Sequence, residues 1–189
     1  MNAPIDVTGV ELRTPRLLLR EWRESDLDDL FAYASVPDVG ERAGWPHHED
    51  IATSKDILAK FIHERKTFAL YHLADKRVIG SLGVELLDKE FASLPLKGRE
   101  LGYVLSRDYW GQGLMPEAVE AVIDYLFNTL GYDFVTCGHF EWNAQSRRVI
   151  EKCGFLPLNR RFDYVTVMGT HETSLLYVRY NPHTEHKPL

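Results

Sequence analysis

The chain has 189 residues, 44% of them apolar, with 28 acidic against 22 basic side chains and a formal charge of −6. That length suits one domain with a proper core, and the acidic balance excludes a nucleic-acid backbone as main partner, since such binding needs clustered cations. Cys137 and Cys153 form no CxxC and fit free thiols in a reducing compartment; with no basic-then-apolar leader and no run long enough to span a bilayer, the expected address is cytoplasmic, without a membrane partner.

Residues 10–22, VELRTPRLLLREW, read as a strand in which Pro15 marks an edge position or a bend. Ser25 is the expected N-cap of a first helix, with Asp28 three residues on and Leu27, Leu30, Phe31 and Ala34 along one face. A loop broken by Pro37, Gly40, Gly44 and Pro46 leads to a second helix over about 51–65, with Ile51, Ile57, Leu58, Phe61 and Ile62 as its apolar set. TFALYHL (67–73) and RVIGSLGVELLD (77–88) pattern as an antiparallel pair around the turn at 74–76, SLPLKG as a loop, and RELGYVL (99–105) as the next strand.

From Leu114 the apolar positions Ala118, Val119, Val122, Leu126 and Leu130 recur at helical spacing, ending near Gly131. DFVTCGHF (133–140) is then a strand, Asn143 to Cys153 a short helix with Gly154 as its stop, and two last strands flank Gly169. The final residues, NPHTEHKPL, read as a loose tail. The order β-α-α-β-β-β-α-β-α-β-β predicts a single α/β domain, core about 11–180, with a mixed, mostly antiparallel sheet flanked by helices, neither a barrel nor a regular βαβ alternation.

Before the third helix stands RDYWGQGLMP, with Gly111 and Gly113 one residue apart. Glycines there allow φ > 0 or close approach of the backbone, and a helix start offers unpaired N–H groups to a phosphate. A Rossmann turn would need glycine where Pro116 stands, and a P-loop would need Gly-Lys-Ser/Thr; both patterns fail. Taken alone, the pair reads more simply as an ordinary strand-to-helix turn. Pro116 loses nothing in a first turn, so a phosphate cradle would use the amides of about Gly111 to Met115, including Gln112 and Leu114.

The element order, RDYWGQG and NAQSRRVIEKCGF together resemble the GNAT superfamily of acyl-CoA-dependent N-acyltransferases. LRTPRLLLREW and the WP pair before the second helix are similar to its Rim-type branch of ribosomal-protein N-terminal acetyltransferases, and the likeness covers roughly Glu11 to Tyr180. The family signature Gln/Arg-x-x-Gly-x-Gly/Ala falls on Asp108 to Gly113; Asp108 departs from its first position and is expected to face solvent. The resemblance implies acetyl-CoA as co-substrate, with its diphosphate on the Gly111–Met115 amides next to Trp110 and its thioester beside Tyr103, Val104 and Leu105.

Amide formation from a thioester needs a neutral amine, a held oxyanion and a protonated leaving thiol. Glu100 is the first choice for the amine side; it shares a strand face with Gly102 and Val104, opposite Leu101, Tyr103 and Leu105. Spacing alone makes it a solvated or ion-paired strand-end carboxylate, whereas the resemblance implies a catalytic one, since Rim-type enzymes carry Glu in a matching E-x-G-Y segment. Asn143 and Ser146 alone would be an N-cap and a first-turn serine. The family pattern N-x-x-S implies that Asn143 contacts the pantetheine arm and that Ser146 is the acid near sulfur. Trp45 lies where the family's acceptor pocket tends to form, although an aromatic beside proline also suits core packing. His47 and His48 suit the surface, Cys137 and His139 packing, and Cys153 a helix-end core position. His183-Thr184-Glu185-His186 has metal-like types but no fourth ligand, so no metal is expected.

The reading is an acetyl-CoA-dependent N-acetyltransferase working by direct attack of an amine, with an α-amine favoured because its pKa of roughly 8 lies below that of lysine at roughly 10. Two rivals are an acetyltransferase of a small amine (polyamine, amino acid or aminoglycoside) and a non-catalytic acyl-CoA-binding sensor. The Rim-type branch often forms dimers, which makes a homodimer a further expectation of the resemblance.

Overall fold

The computed structural model describes residues 5–87, 91 and 95–185. Its strands are β1 (Leu12–Arg13), β2 (Leu17–Arg20), β3 (Thr67–His72), β4 (Arg77–Glu85), β5 (Gly98–Leu105), β6 (Phe134–Phe140), β7 (Leu156–Val165) and β8 (Thr170–Tyr180). The helices are α1 (Leu27–Ala34), α2 (Ile51–Glu64), α3 (Leu114–Asp124) and α4 (Ala144–Lys152). The strands form one sheet in the order β1-β2-β3-β4-β5-β6-β8-β7, antiparallel except where β5 meets β6. This is the expected mixed sheet.

Several local expectations need correction. The first strand is broken: Pro15 lies in a turn, and β1 folds back on β2 with Leu12 opposite Leu19. The second hairpin strand ends at Glu85, and its expected last residue, Asp88, lies outside the described residues, as do Ser93 and Leu94 of the following loop. Ser25 does not cap α1. A 3₁₀ turn over Glu24–Asp26 precedes the helix, and the Asp26 carboxylate accepts the Arg23 amide at 2.9 Å. Asp26 also receives Arg20 in a two-pronged pair at 2.8 Å, with both side chains only 6% exposed. Burying two charges is tolerable only with this matched geometry. The tail is not loose at its start: the Asn181 side-chain amide donates to the Tyr132 carbonyl at 3.0 Å, and the Asn181 main-chain N–H donates to Asp133 at 2.8 Å. Its last residues, 186–189, lie outside the described residues.

α3 keeps its apolar face to Ile123 and then widens into a π turn over Tyr125–Thr129, closed by the Leu130 N–H on the Tyr125 carbonyl at 3.1 Å. The core has a layer on each side of the sheet. One gathers Leu101, Leu105, Leu114, Met115 and Cys137 with α3 and α4. The other gathers Trp22, Tyr33, Val39, Leu58, Ala69 and Val104 with α1 and α2. Alternation along β5 therefore sends Leu101, Tyr103 and Leu105 to one layer and Val104 to the other.

Candidate active site

The one parallel junction of the sheet is short. β5 and β6 pair only from Gly98 with Phe134 to Leu101 with Cys137, whereas β4 follows β5 to Leu105 and β8 follows β6 to Phe140. Beyond Leu101 the two strands part. The Ser106 N–H donates to the Ile79 carbonyl at 2.7 Å, so alternation turns the main-chain groups of Gly102 and Val104 toward β4. Those of Tyr103, and the N–H of Leu105, face the gap. The Leu105 carbonyl is taken by the Trp110 indole N–H at 2.8 Å.

A cavity of about 460 Å³ occupies this gap and is lined by residues of both core layers, so it passes through the sheet. On the α3–α4 side it meets Trp110, Gly111, Gly113, Leu114 and Met115. Gly111 and Gly113 both have φ of 77°, a left-handed conformation that favours glycine. A Cβ added at Gly111 would meet nothing within 4 Å, so the surface above this glycine is open. Asp108 is exposed, as expected. Gln112 is also exposed and does not line the cavity; its carbonyl is held by Arg16 at 2.9 Å. Arg16 also grips Glu117 of α3 at 2.7 Å, and Glu117 further accepts the Thr14 hydroxyl at 2.6 Å. The N-terminal hairpin thus braces the bend from outside, a contact across about a hundred residues that no local pattern announces.

Asn143 is 4% exposed and held at both ends of its amide: its oxygen caps α4 on the Ser146 N–H at 3.2 Å, and one of its two side-chain N–H groups donates to the Arg42 carbonyl at 3.1 Å. Ser146 stands one turn in, its Oγ 2.9 Å from the Tyr103 hydroxyl. Burial raises the Tyr103 pKa well above the ordinary 10, so this phenol keeps its proton and remains a hydrogen-bond donor or acceptor beside the serine. Residues 100 to 105, from Glu100 to Leu105, all line the cavity, as do Asn143 and Ser146. Glu100 is half-buried, opposite Glu85 on β4 and beside Thr136 on β6.

Trp45 stands elsewhere. Its ring lies against Gly40, where a Cβ would come within 2.3 Å of it, and is tilted against the His48 ring at 5.2 Å, outside the cavity lining. His48 is buried rather than superficial, with Nδ1 2.7 Å from the Ser54 hydroxyl. His139 both packs and lines the cavity. Its Nδ1 faces the Phe140 carbonyl at 2.7 Å, which can only accept, so that nitrogen carries a proton; Nε2 lies 3.2 Å from the Tyr177 hydroxyl. The cysteines are buried, and burial raises both thiol pKa values, Cys153 to about 12. They stay protonated and unreactive. Among the described residues, which exclude His186, no group of His, Cys, Asp and Glu is placed to hold a metal, and no helix is long and apolar enough to cross a membrane.

Sequence reasoning missed the opposite wall. Val39, Arg42 and Ala43, from the turn after α1, line the cavity on the α1–α2 side. The resemblance pointed to this loop through Trp45, but within the loop only glycine and proline stood out, and nothing singled out Val39, Arg42 or Ala43.

Comparison with known proteins agrees with this geometry. A family model for the acetyltransferase (GNAT) domain matches residues 16–156. The chain is 28% identical over 164 residues to the uncharacterized N-acetyltransferase p20 of Bacillus licheniformis, covering 84% of this chain and 89% of that protein. Among solved structures it resembles the ribosomal-protein-S5-alanine acetyltransferase from Vibrio fischeri, with a TM-score of 0.73 at 19% identity, covering 94% of this chain and all of that one (100%). It also resembles the spermidine N-acetyltransferase from Vibrio cholerae, solved in complex with CoA and spermine, with a TM-score of 0.73 at 15% identity, over 92% of this chain and 100% of that one. At such identities the likeness shows a shared fold. The family match runs through both walls of the through-sheet gap and the bend before α3, and the chain belongs to the GNAT family of N-acetyltransferases.

Proposed function

We propose that this N-acetyltransferase takes its acetyl group from acetyl-CoA and delivers it by direct attack to a primary amine, preferentially the α-amine of a peptide or protein. The observation that carries this is the gap itself. It joins an amide-lined helix start on one side of the sheet to a half-buried carboxylate, Glu100, by way of the open edge of β5.

The residues fit the co-substrate. The open surface over Gly111, the left-handed bend and the free amides at the start of α3 suit a diphosphate. Trp110, Leu114 and Met115 flank it, and Asn143 fixes the start of α4, holding Ser146 in place through the cap while its second side-chain N–H can serve the pantetheine arm. Acetyl-CoA supplies the activated acyl carbon when bound. Glu100, directly or through one water, takes the proton of the attacking ammonium so that nitrogen arrives neutral. The main-chain N–H of Tyr103 or Leu105, turned into the gap, holds the developing oxyanion. Ser146, hydrogen-bonded to Tyr103, returns a proton to the leaving thiolate.

An α-amine is favoured because it loses its proton at roughly two pH units below lysine. The Vibrio fischeri enzyme, named for a ribosomal-protein alanine, supports a Rim-like reading, and the spermidine enzyme keeps a small amine as the second reading. The deciding experiment is CoA release measured with acetyl-CoA against a panel of N-terminal peptides, amino acids and polyamines. Turnover on peptides is expected; acetyl-CoA binding without turnover on any amine would make the chain a sensor.

A further inference from the structure

Arg42 is the one cation that the turn after α1 places in the cavity wall among the described residues, and its environment is unusual. Its Nε and Nη2 both donate to one oxygen of Asp38, at 3.0 and 2.7 Å. Its guanidinium lies 5.4 Å from the Trp110 ring centroid and 5.6 Å from that of Trp142, and its carbonyl accepts from Asn143. Asp38 holds φ at 73°, a left-handed conformation that a non-glycine residue keeps only when its surroundings impose it. The side chain is 27% exposed, and among the described residues Nη1 has no hydrogen-bond partner. A guanidinium clamped by two rings and a carboxylate has little rotamer freedom left to lose, and it is weakly hydrated.

We infer that Arg42 reads an acidic group on the acceptor, so that the preferred substrate is an amine carrying a carboxylate close to its nitrogen. This deepens the acetyl-transfer reading and rests on it. Arg42 and Glu100 line the α1–α2 side of the same cavity, one positive and one negative. An amine facing Glu100 leaves a carboxylate of the same molecule to meet Nη1, a charge-assisted hydrogen bond in a partly buried setting. Acids adjacent in sequence to the wall residues are matched within the protein: Glu41 pairs with His47, and Glu141 with Arg160; Glu172 accepts the Trp142 indole N–H. A polyamine would instead bring its second cation against Arg42. The charges on α4, Arg148 and Lys152, lie on the other face of the sheet and do not compete for this role.

The test compares aspartyl-alaninamide with asparaginyl-alaninamide, which differ only in the side-chain charge. The native enzyme should show a kcat/KM about tenfold higher for the acidic peptide, mostly through KM. Arg42→Gln should bring the two peptides within about twofold of each other, and Arg42→Lys should restore part of the difference because it keeps the charge without the fork. Acetyl-CoA affinity, measured in parallel, reports that each variant is folded. Equal handling of the two peptides by the native enzyme, faster turnover of spermidine, or a preference that survives Arg42→Gln overturns the assignment. If Arg42→Gln does not fold, the native comparison and Arg42→Lys still decide it. Calorimetric titration of both peptides in the presence of CoA separates the two levels of the argument. Absence of turnover with every amine, alongside a retained binding preference for the acidic peptide, sinks acetyl transfer while leaving Arg42 as the acidic-group reader.

Discussion

On the α3–α4 side of the gap, contact is offered by main-chain amides at Gly111 and Gly113 and by buried apolar residues such as Leu114 and Met115. On the α1–α2 side it is offered by side chains, chiefly Arg42 and Glu100, carried on a turn and a half-buried strand position. A backbone-built surface depends on conformation, which glycine and proline announce in sequence. A side-chain-built surface depends on which residues a loop brings into register, and a loop can change these without disturbing the core. The bend was therefore visible in local pattern, and the resemblance suggested a diphosphate for it, while the acceptor stayed open.

If the chemistry resides on the side-chain wall and the grip on the co-substrate resides in the backbone wall, variants on the two sides should separate. Glu100→Gln should lower kcat by about a hundredfold or more while leaving the acetyl-CoA dissociation constant unchanged. A variant with native kcat would remove Glu100 from the mechanism and break the division. Gly111→Val should do the reverse. A β-branched residue forced to φ near 77° costs about 1–2 kcal/mol or more, and calorimetry should show acetyl-CoA binding weakened about tenfold. Native affinity in a folded variant counts against the cradle.

The smallest effect sharpens the comparison through pH. Burial lowers the His48 pKa below its ordinary 6.5, so the unfolded chain binds this proton more readily than the folded one. The stability this residue contributes is then complete above about pH 6.5 and declines as pH falls through that value toward the folded pKa. The Tm of the native protein should drop between about pH 7 and about pH 5, and His48→Gln should show a shallower drop. Identical slopes would mean that the burial of His48 carries no proton linkage.

Much of the sheet was legible because β-strand alternation and helix periodicity are local. RELGYVL announced β5 and its two faces, and the apolar spacing from Leu114 announced α3. The errors arose where a distant partner decides. Asp26, not Ser25, organises the entry to α1 because Arg20, six residues earlier, supplies a buried counter-charge. Asn181 anchors a segment that composition marks as tail because carbonyls of the loop after α3 receive its amide. Trp45 lies in the expected loop, yet its ring packs on Gly40 and His48, since an aromatic beside a close backbone contact buries more area by covering it. At the site, the spacing of Asn143 and Ser146 was visible, but the Tyr103 hydroxyl against Ser146 spans forty-three residues and needed the fold.

The brace from Arg16 to the bend before α3 has a consequence for folding. The hydrogen bond from the Arg16 main-chain N–H to the Glu117 carboxylate joins positions 101 residues apart, so the bend is braced only when an early hairpin meets a helix made much later in the chain. Such a closure is entropically costly and comes after local structure. Any anion that rests on the finished bend favours the closed state over every open one, and so ties the two ends of that span together. If the co-substrate rests there as proposed, it serves as a fastener as well as a reagent, and saturating acetyl-CoA should raise the Tm.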